Sequence, residues 1–344
     1  ILLGLRRKHH ATIARGYVQA AGIDRVIRRD YTAVGETGRV RHVRTIGFGL
    51  ALLLCAGCAT APRVRGIDRA LQSGPDWFLA KAVVGPQNDG TFLVPTTQRI
   101  DPAGEQVLFP GRPVGMAFSP DGALLAIKSM SDIVLVDTNS KSVKQTLKLP
   151  KDGNSFCGIA WSRDGNNIWN SATEQYLRGA SRGPDGAFVF DIEIVLPGPG
   201  DKNSSPGGLA LDEDRGIAYV TLSRNNSVGI VDLAKRELVA EIPVGIAPYT
   251  VLLHGRKAYV TNWGGRRPRD GETTGPTSGS RVLVDPKTGV ASSGTISVID
   301  CASRAVTREI EVQLHPCEMA LSPDGARLYV ANANSDTVSV IDTR

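Results

Sequence analysis

Runs of alternating apolar and polar residues, five or six long and broken by turn residues, fill the chain from residue 104 onward, which predicts short β-strands in close succession. The turns repeat. SPDG at 119–122 returns as SRDG at 162–165 and SPDG at 322–325, with DEDRG around Asp214 as a looser copy. Five residues after each turn Asp comes one slot, filled by Ala126, Trp169, Tyr219 and Tyr329, and AYVTN at 258–262 supplies Tyr259 after a shorter turn. Each unit closes on an apolar run ending in Asp: IVLVD at 133–137, FVFD at 188–191, VGIVD at 228–232, ISVID at 296–300 and VSVID at 338–342. Where nothing is inserted, the turn Asp and the closing Asp stand 16 or 18 residues apart. The third copy predicts strands over 207–211, 216–221, 227–232 and 237–243, separated by DEDRG, SRNN and LAKR. A single four-stranded sheet cannot bury both of its faces. Units of this kind pack radially, so the expected fold is all-β, a β-propeller of four-stranded blades with five repeats visible.

The last copy stops after its third strand, and 105–110 (EQVLFP) reads as the fourth strand of a blade whose first three are missing. That strand either completes the last blade and closes a ring of five, or the chain is part of a longer ring, truncated at the C-terminus. The second reading is favoured because 91–101 also reads as blade sequence.

AYVTN at 258–262, AYVTL at 218–222, LYVAN at 328–332, the SPDG turns and VSVID together resemble the YVTN β-propeller repeat family over residues 104–344. The long insertion within 262–300 is similar, more narrowly, to the propeller of bacterial proteins that join a YVTN propeller to a C-terminal phosphoesterase domain of alkaline-phosphatase type. The resemblance implies a seven-bladed ring, no cofactor, and a non-catalytic module for recognition or docking. Phosphoesterase activity would then belong to a domain outside this chain. Two other readings stay open: an enzyme of the seven-bladed lactonase kind, and a redox or haem-binding propeller.

Charge changes the picture little. The formal charge is +6, but residues 1–44 hold ten Arg and Lys against three acids, leaving the other 300 residues near −1. A basic excess confined to one terminal segment is no signature of nucleic-acid binding. No apolar run reaches the roughly 18 residues of a spanning helix. Residues 40–57 are laid out as a signal peptide: basic Arg41, His42 and Arg44, an apolar stretch, then small residues. Cys55-Ala56-Gly57-Cys58 resembles a bacterial lipobox, which makes Cys58 the expected lipidation site and the outer membrane or periplasm the expected location, with the membrane reached through the lipid alone. Residues 1–39 read as upstream translation, 58–75 as a tether and 76–344 as the propeller.

Candidate chemistry is sparse. Asp121, Asp164, Asp214 and Asp324 recur with the repeat, which marks them as turn formers. Tyr219, Tyr259 and Tyr329 recur likewise, as packing between blades. Beyond the leader only His254 and His315 remain, too few for a three-histidine metal site. Cys157 and Cys317 occupy a slot that elsewhere takes Val114 or Gly207, and with Cys301 they are expected to be unpaired. Two apparent insertions between second and third strands, 171–186 and 263–294, carry Arg178, Arg182, Arg266, Arg267, Arg269, Arg281 and Lys287 against five acids. With Trp263, the arginines Arg178, Arg182, Arg266, Arg267 and Arg269 form the expected ligand or docking face, since a guanidinium fork holds phosphate or carboxylate bidentately.

Overall fold

The computed structural model describes residues 83–95, 98–151, 153–200, 202–277 and 279–344. The readings that fall on 40–75, Cys58 among them, lie outside these residues. The chain divides into two compact units, whose described parts are 83–106 and 107–344. The first holds a small antiparallel sheet of β1 (Gly85–Pro86), β2 (Phe92–Leu93) and β3 (Arg99–Ile100).

The second unit is a succession of antiparallel sheets in which each strand pairs with the next in sequence, except where a hairpin is inserted in the fourth. Blade one comprises β4 (Pro113–Phe118), β5 (Leu124–Ser129), β6 (Asp132–Asp137) and β7 (Ser142–Lys148). Blade two comprises β8 (Asn154–Trp161), β9 (Asn167–Ala172), β10 (Tyr176–Arg182) and β11 (Phe188–Val195). Blade three comprises β12 (Pro206–Asp212), β13 (Ile217–Leu222), β14 (Ser227–Asp232) and β15 (Glu237–Pro243). In blade four, β16 (Pro248–His254) and β17 (Lys257–Asn262) are followed by an inserted hairpin, β18 (Thr274–Thr277) and β19 (Ser280–Leu283), before β20 (Gly294–Asp300) and β21 (Ala305–Val312). The last sheet has three described strands, β22 (Pro316–Leu321), β23 (Arg327–Asn332) and β24 (Thr337–Asp342). No helix occurs among the described residues, and the fold is an all-β propeller.

Burial explains the order. Successive blades seal one another through separate apolar clusters: Ile133 and Leu135 against Ile168 and Phe188, then Leu177 and Ile194 against Val220 and Val231. Val228 and Ile230 pack against Val251 and Val260, and Ile296 and Val298 against Leu328 and Val330. Both faces of a middle blade are thereby buried, which is why the third strands of blades three and four, SVGIVD and GTISVID, are largely apolar.

Each blade carries irregularities that recur. The first strand is bulged near its start, so that Gly207 and Gly208, Tyr249 and Thr250, and Cys317 and Glu318 fall outside the ladder with the second strand. A second bulge interrupts the pairing of third and fourth strands in blades one to four.

Two expectations need correction. The segment 171–186 is no insertion: Tyr176–Arg182 is the third strand of blade two, and FVFD at 188–191 opens the fourth. Polar residues in this strand disguise it, because Arg178 is paired with Glu193 and Ser181 with Asn167 and Asp191. Nor is 105–110 a strand. Val107 and Phe109 lie half-buried against Ile127, Val134 and Val136 of blade one, and Pro110, which has no N–H, is followed by Gly111 at φ 126°, which turns the chain away.

Candidate functional site

The connections between second and third strands and those between blades emerge on one face, and the remaining turns on the other. On the latter, Asp121, Asp164 and Asp324 each accept a hydrogen bond from the Ser two residues earlier (2.5–2.6 Å) and from a backbone N–H two residues later (3.0–3.1 Å). Those bonds hold their carboxyls below the usual range, the Ser hydroxyl contributing most. Asp214 differs, pairing with Arg163 at 2.8 Å across the joint between blades two and three. The closing Asp137, Asp232 and Asp300 cap the next turn through backbone N–H groups. Tyr219 and Tyr259 are buried between blades, whereas Tyr329 is half-buried.

The hub of the ring is built from the bulged first strands. A bulge releases carbonyl groups from the ladder, and a buried carbonyl needs a donor. The preceding blade supplies it: Thr221 Oγ1 donates to Tyr249 O and Thr261 Oγ1 to Cys317 O, both at 3.0 Å. At the first joint the same position holds Lys128. Its Nζ lies within hydrogen-bonding reach of the main-chain oxygens of Cys157, Gly158 (3.0 Å) and Ser171 (2.6 Å) and of the hydroxyls of Ser155 (2.9 Å) and Ser171 (3.1 Å), which share its N–H groups. Lys128 is wholly buried, and burial pulls its amine down to about 7. An amine so shifted suits acid–base work, but sealed from solvent it binds two blades together. Beside it Cys157 is pushed up to about 12 by burial and lies 3.4 Å from Tyr249 O. Cys157, Cys301 and Cys317 are all free.

On the opposite face the insertion of blade four shapes the most developed site. Trp263, the first residue after β17, stacks on Tyr249 (centroids 4.4 Å apart, planes 8° apart) and on His315 (5.4 Å, 9°), joining blade four to the last sheet. Burial lowers the His315 pKa, and its indole neighbour's Nε1 is buried without a hydrogen-bond partner. His254 sits at the far end of its strand, and a Cβ on Gly325 would come within 2.6 Å of its ring, so it packs on the last SPDG turn. Among the described residues no group of three or more His, Cys, Asp or Glu is placed to hold a metal ion.

The predicted arginine face is divided. Arg178 is buried inside blade two, where Nε donates to Glu193 (2.9 Å) and Nη1 to Lys151 O (3.0 Å). Arg182 ends the same strand on the SPDG side, its guanidinium 5.5 Å over the Phe188 ring. Three others do share the insertion. Arg266 grips Glu272 bidentately (2.6 and 2.8 Å), which holds that carboxyl down at about 2. Arg267 donates to Val244 O and Asn226 O, fastening the loop to blade three, and Arg269 has an exposed side chain while its backbone N–H meets Glu272. A cleft of about 550 Å³ lies between this loop, the hairpin and the end of β21, lined by Arg266, Glu272, Thr273, Ser292, Ser293 and Glu311. With its arginine already paired, the cleft offers hydroxyls and a surplus of carboxylate.

No protein-family model matches this chain, and no curated protein matches it. Among solved structures it is similar to hydrazine synthase of Kuenenia stuttgartiensis, with a TM-score of 0.52 and 18% identity over 70% of this chain. That match spans 66% of the hydrazine synthase chain, just under two thirds. It is also similar to a functionally unknown protein from Desulfotomaculum acetoxidans DSM 771, with a TM-score of 0.50, 16% identity, and coverage of 67% of this chain and 68% of that one. Likeness at such identities supports the propeller fold.

Proposed function

We propose that this chain is a YVTN-type propeller that works as a non-catalytic recognition and docking module, partnered with a phosphoesterase domain of alkaline-phosphatase type. One observation carries the reading: the largest elaboration of the blades among the described residues, the 263–293 insertion, is held by its own arginines beside an exposed polar cleft. A loop fixed in this way suits recognition. Hydrolysis of the alkaline-phosphatase type needs clustered Asp and His ligands for two metals about 4 Å apart, a constellation that His254 and His315, at opposite ends of their strands, do not supply.

The test joins two assays on the full chain. Turnover of a phosphate ester with added zinc or manganese is expected to stay at background, and metal-dependent turnover would overturn the non-catalytic reading. An isolated alkaline-phosphatase-type domain is expected to bind in calorimetry, and to lose that binding when 274–283 is replaced by a Gly-Ser linker. We also propose export and anchoring through Cys58, where acyl chains contribute about 0.8 kcal/mol per buried methylene. Cys58→Ala is expected to release the protein from membranes, and a membrane-bound variant would end that proposal.

A further inference from the structure

Blade two departs from the repeat at its hub. In blades three and four and in the last sheet, the first-strand bulge leaves two residues outside the ladder: Gly207 and Gly208, Tyr249 and Thr250, Cys317 and Glu318. In blade two it leaves four, because pairing breaks off after Asn154 and Ala172 and resumes at Ile159 and Asn170. Ser155, Phe156, Cys157 and Gly158 stand there against Ser171 alone. The excursion closes at Gly158, whose φ of 80° suits glycine. Bulges re-aim side chains, and they gather beside active sites.

Two hydroxyls at this excursion turn to the Lys128 amine. Ser155 Oγ lies 2.9 Å from Nζ and Ser171 Oγ 3.1 Å, and the hydroxyls are 2.7 Å from each other. Ser171 fills the slot that Thr221 and Thr261 fill in later blades. Its hydroxyl serves the excursion of its own blade instead, 2.8 Å from Cys157 O and 3.2 Å from Gly158 O. Ser155 Oγ lies 2.9 Å from both Cys157 O and Ser171 O. A neutral amine has two N–H groups and one lone pair. With the Ser171 hydroxyl on one of the three main-chain oxygens, the two N–H groups satisfy the other two, and the lone pair is left to accept from the Ser155 hydroxyl. Burial favours that neutral form, bringing the amine to about 7. Lys128 is wholly buried, but Ser155 is half-buried and its neighbour Phe156 is 45% exposed. A desolvated base behind a hydroxyl within reach of solvent is the arrangement that activates a serine.

We propose that Ser155 is an activated nucleophile, with Lys128 as its general base, that accepts an acyl group from an activated carboxylic ester. Nζ takes the hydroxyl proton as Oγ bonds to the acyl carbon. The bond from that carbon to the leaving oxygen breaks, and Nζ returns the proton to that oxygen. The products are an acyl ester on Ser155 and a free alcohol. The step requires no turnover and uses neither the cleft nor the hairpin, so it stands or falls apart from the docking role proposed above.

The probe is p-nitrophenyl acetate added to the full chain, with the reaction stopped in acid and the acetylated residue located by peptide mapping. Acetylation of Ser155 is expected, with the exposed turn serine Ser140 left untouched. Because only the neutral amine takes the proton, the rate at Ser155 is expected to rise about tenfold from pH 6 to pH 8 and then level off, whereas surface amines react ever faster up to about pH 10. Cys157, pushed up to about 12, stays a thiol throughout. Ser155→Ala is expected to remove the adduct while thermal unfolding stays within a few degrees, and Lys128→Met to slow acetylation at Ser155 about a hundredfold or more. The pH profile makes the same test in the natural protein, whatever Lys128→Met does to folding. No adduct at Ser155, equal labelling of Ser140, or a rate at Ser155 that climbs past pH 9 without levelling would each overturn the proposal.

Discussion

Lys128 Nζ donates to the main-chain oxygen of Cys157 across the joint between blades one and two, doing with an amine what Thr221 and Thr261 do with hydroxyls at the later joints. The substitution places a titratable group where its neighbours are neutral. Burial lowers that amine to about 7 from its ordinary 10.5. Between those values the unfolded chain binds a proton that the folded chain does not, so stability rises with pH. Urea midpoints are expected to climb from pH 7 to pH 8, by at most about 1.4 kcal/mol per pH unit. In Lys128→Met the climb disappears, and stability falls by a few kcal/mol as the oxygens lose their donor. A midpoint flat in pH for the natural protein would refute the assignment.

The arginines separate by role. Arg178→Met removes the partner of Glu193 and the donor to Lys151 O from within a blade, which is expected to cost about 3 kcal/mol. Arg269→Ala alters an exposed side chain and is expected to stay within about 0.5 kcal/mol. Equal denaturation midpoints for the two variants would contradict the placement.

The Tyr249–Trp263–His315 stack ties the insertion of blade four to the last sheet. Trp263→Ala is expected to lower stability by about 2–3 kcal/mol and to diminish the aromatic signal in near-ultraviolet circular dichroism. Trp263→Phe keeps a ring in the stack and removes an N–H that has no partner, so a cost below about 1 kcal/mol is expected.

Thiol chemistry offers a fourth check. With Cys157 buried and pushed up to about 12, iodoacetamide at pH 8 is expected to leave it unmodified until denaturant is added, and peptide mapping reads this directly. Rapid labelling of Cys157 in the folded protein would show that the hub is open.

Where repeats were regular, the fold could be read from sequence to within a residue. Strands expected at 207–211, 216–221, 227–232 and 237–243 are found at Pro206–Asp212, Ile217–Leu222, Ser227–Asp232 and Glu237–Pro243. Blade two escaped because its third strand buries an arginine that reaches out to the exposed Glu193, and Arg178 looks in sequence like a loop residue. The site was less legible. Arginine content signalled anion binding, yet Arg266 and Arg267 spend their donors on Glu272 and on backbone oxygens, which only the folded loop brings within reach. Lys128 passed unnoticed because a lysine in a strand ordinarily faces water. Its alignment with Thr221 and Thr261 was there to be seen once the first-strand bulge was known.

The joints differ in what spans them. Between blades two and three main chain meets main chain, for a Cβ on Gly158, at φ 80°, would collide with Gly207 O. Between blades three and four a Cβ on Gly207 would come within 2.8 Å of Tyr249 O. Backbone packed this closely leaves no room for a side chain at either glycine. The first joint is bridged instead by a four-carbon side chain whose amine reaches oxygens on both the first and second strands of blade two. At the hub, blades two to four therefore meet backbone to backbone, whereas blade one meets blade two through the Lys128 side chain.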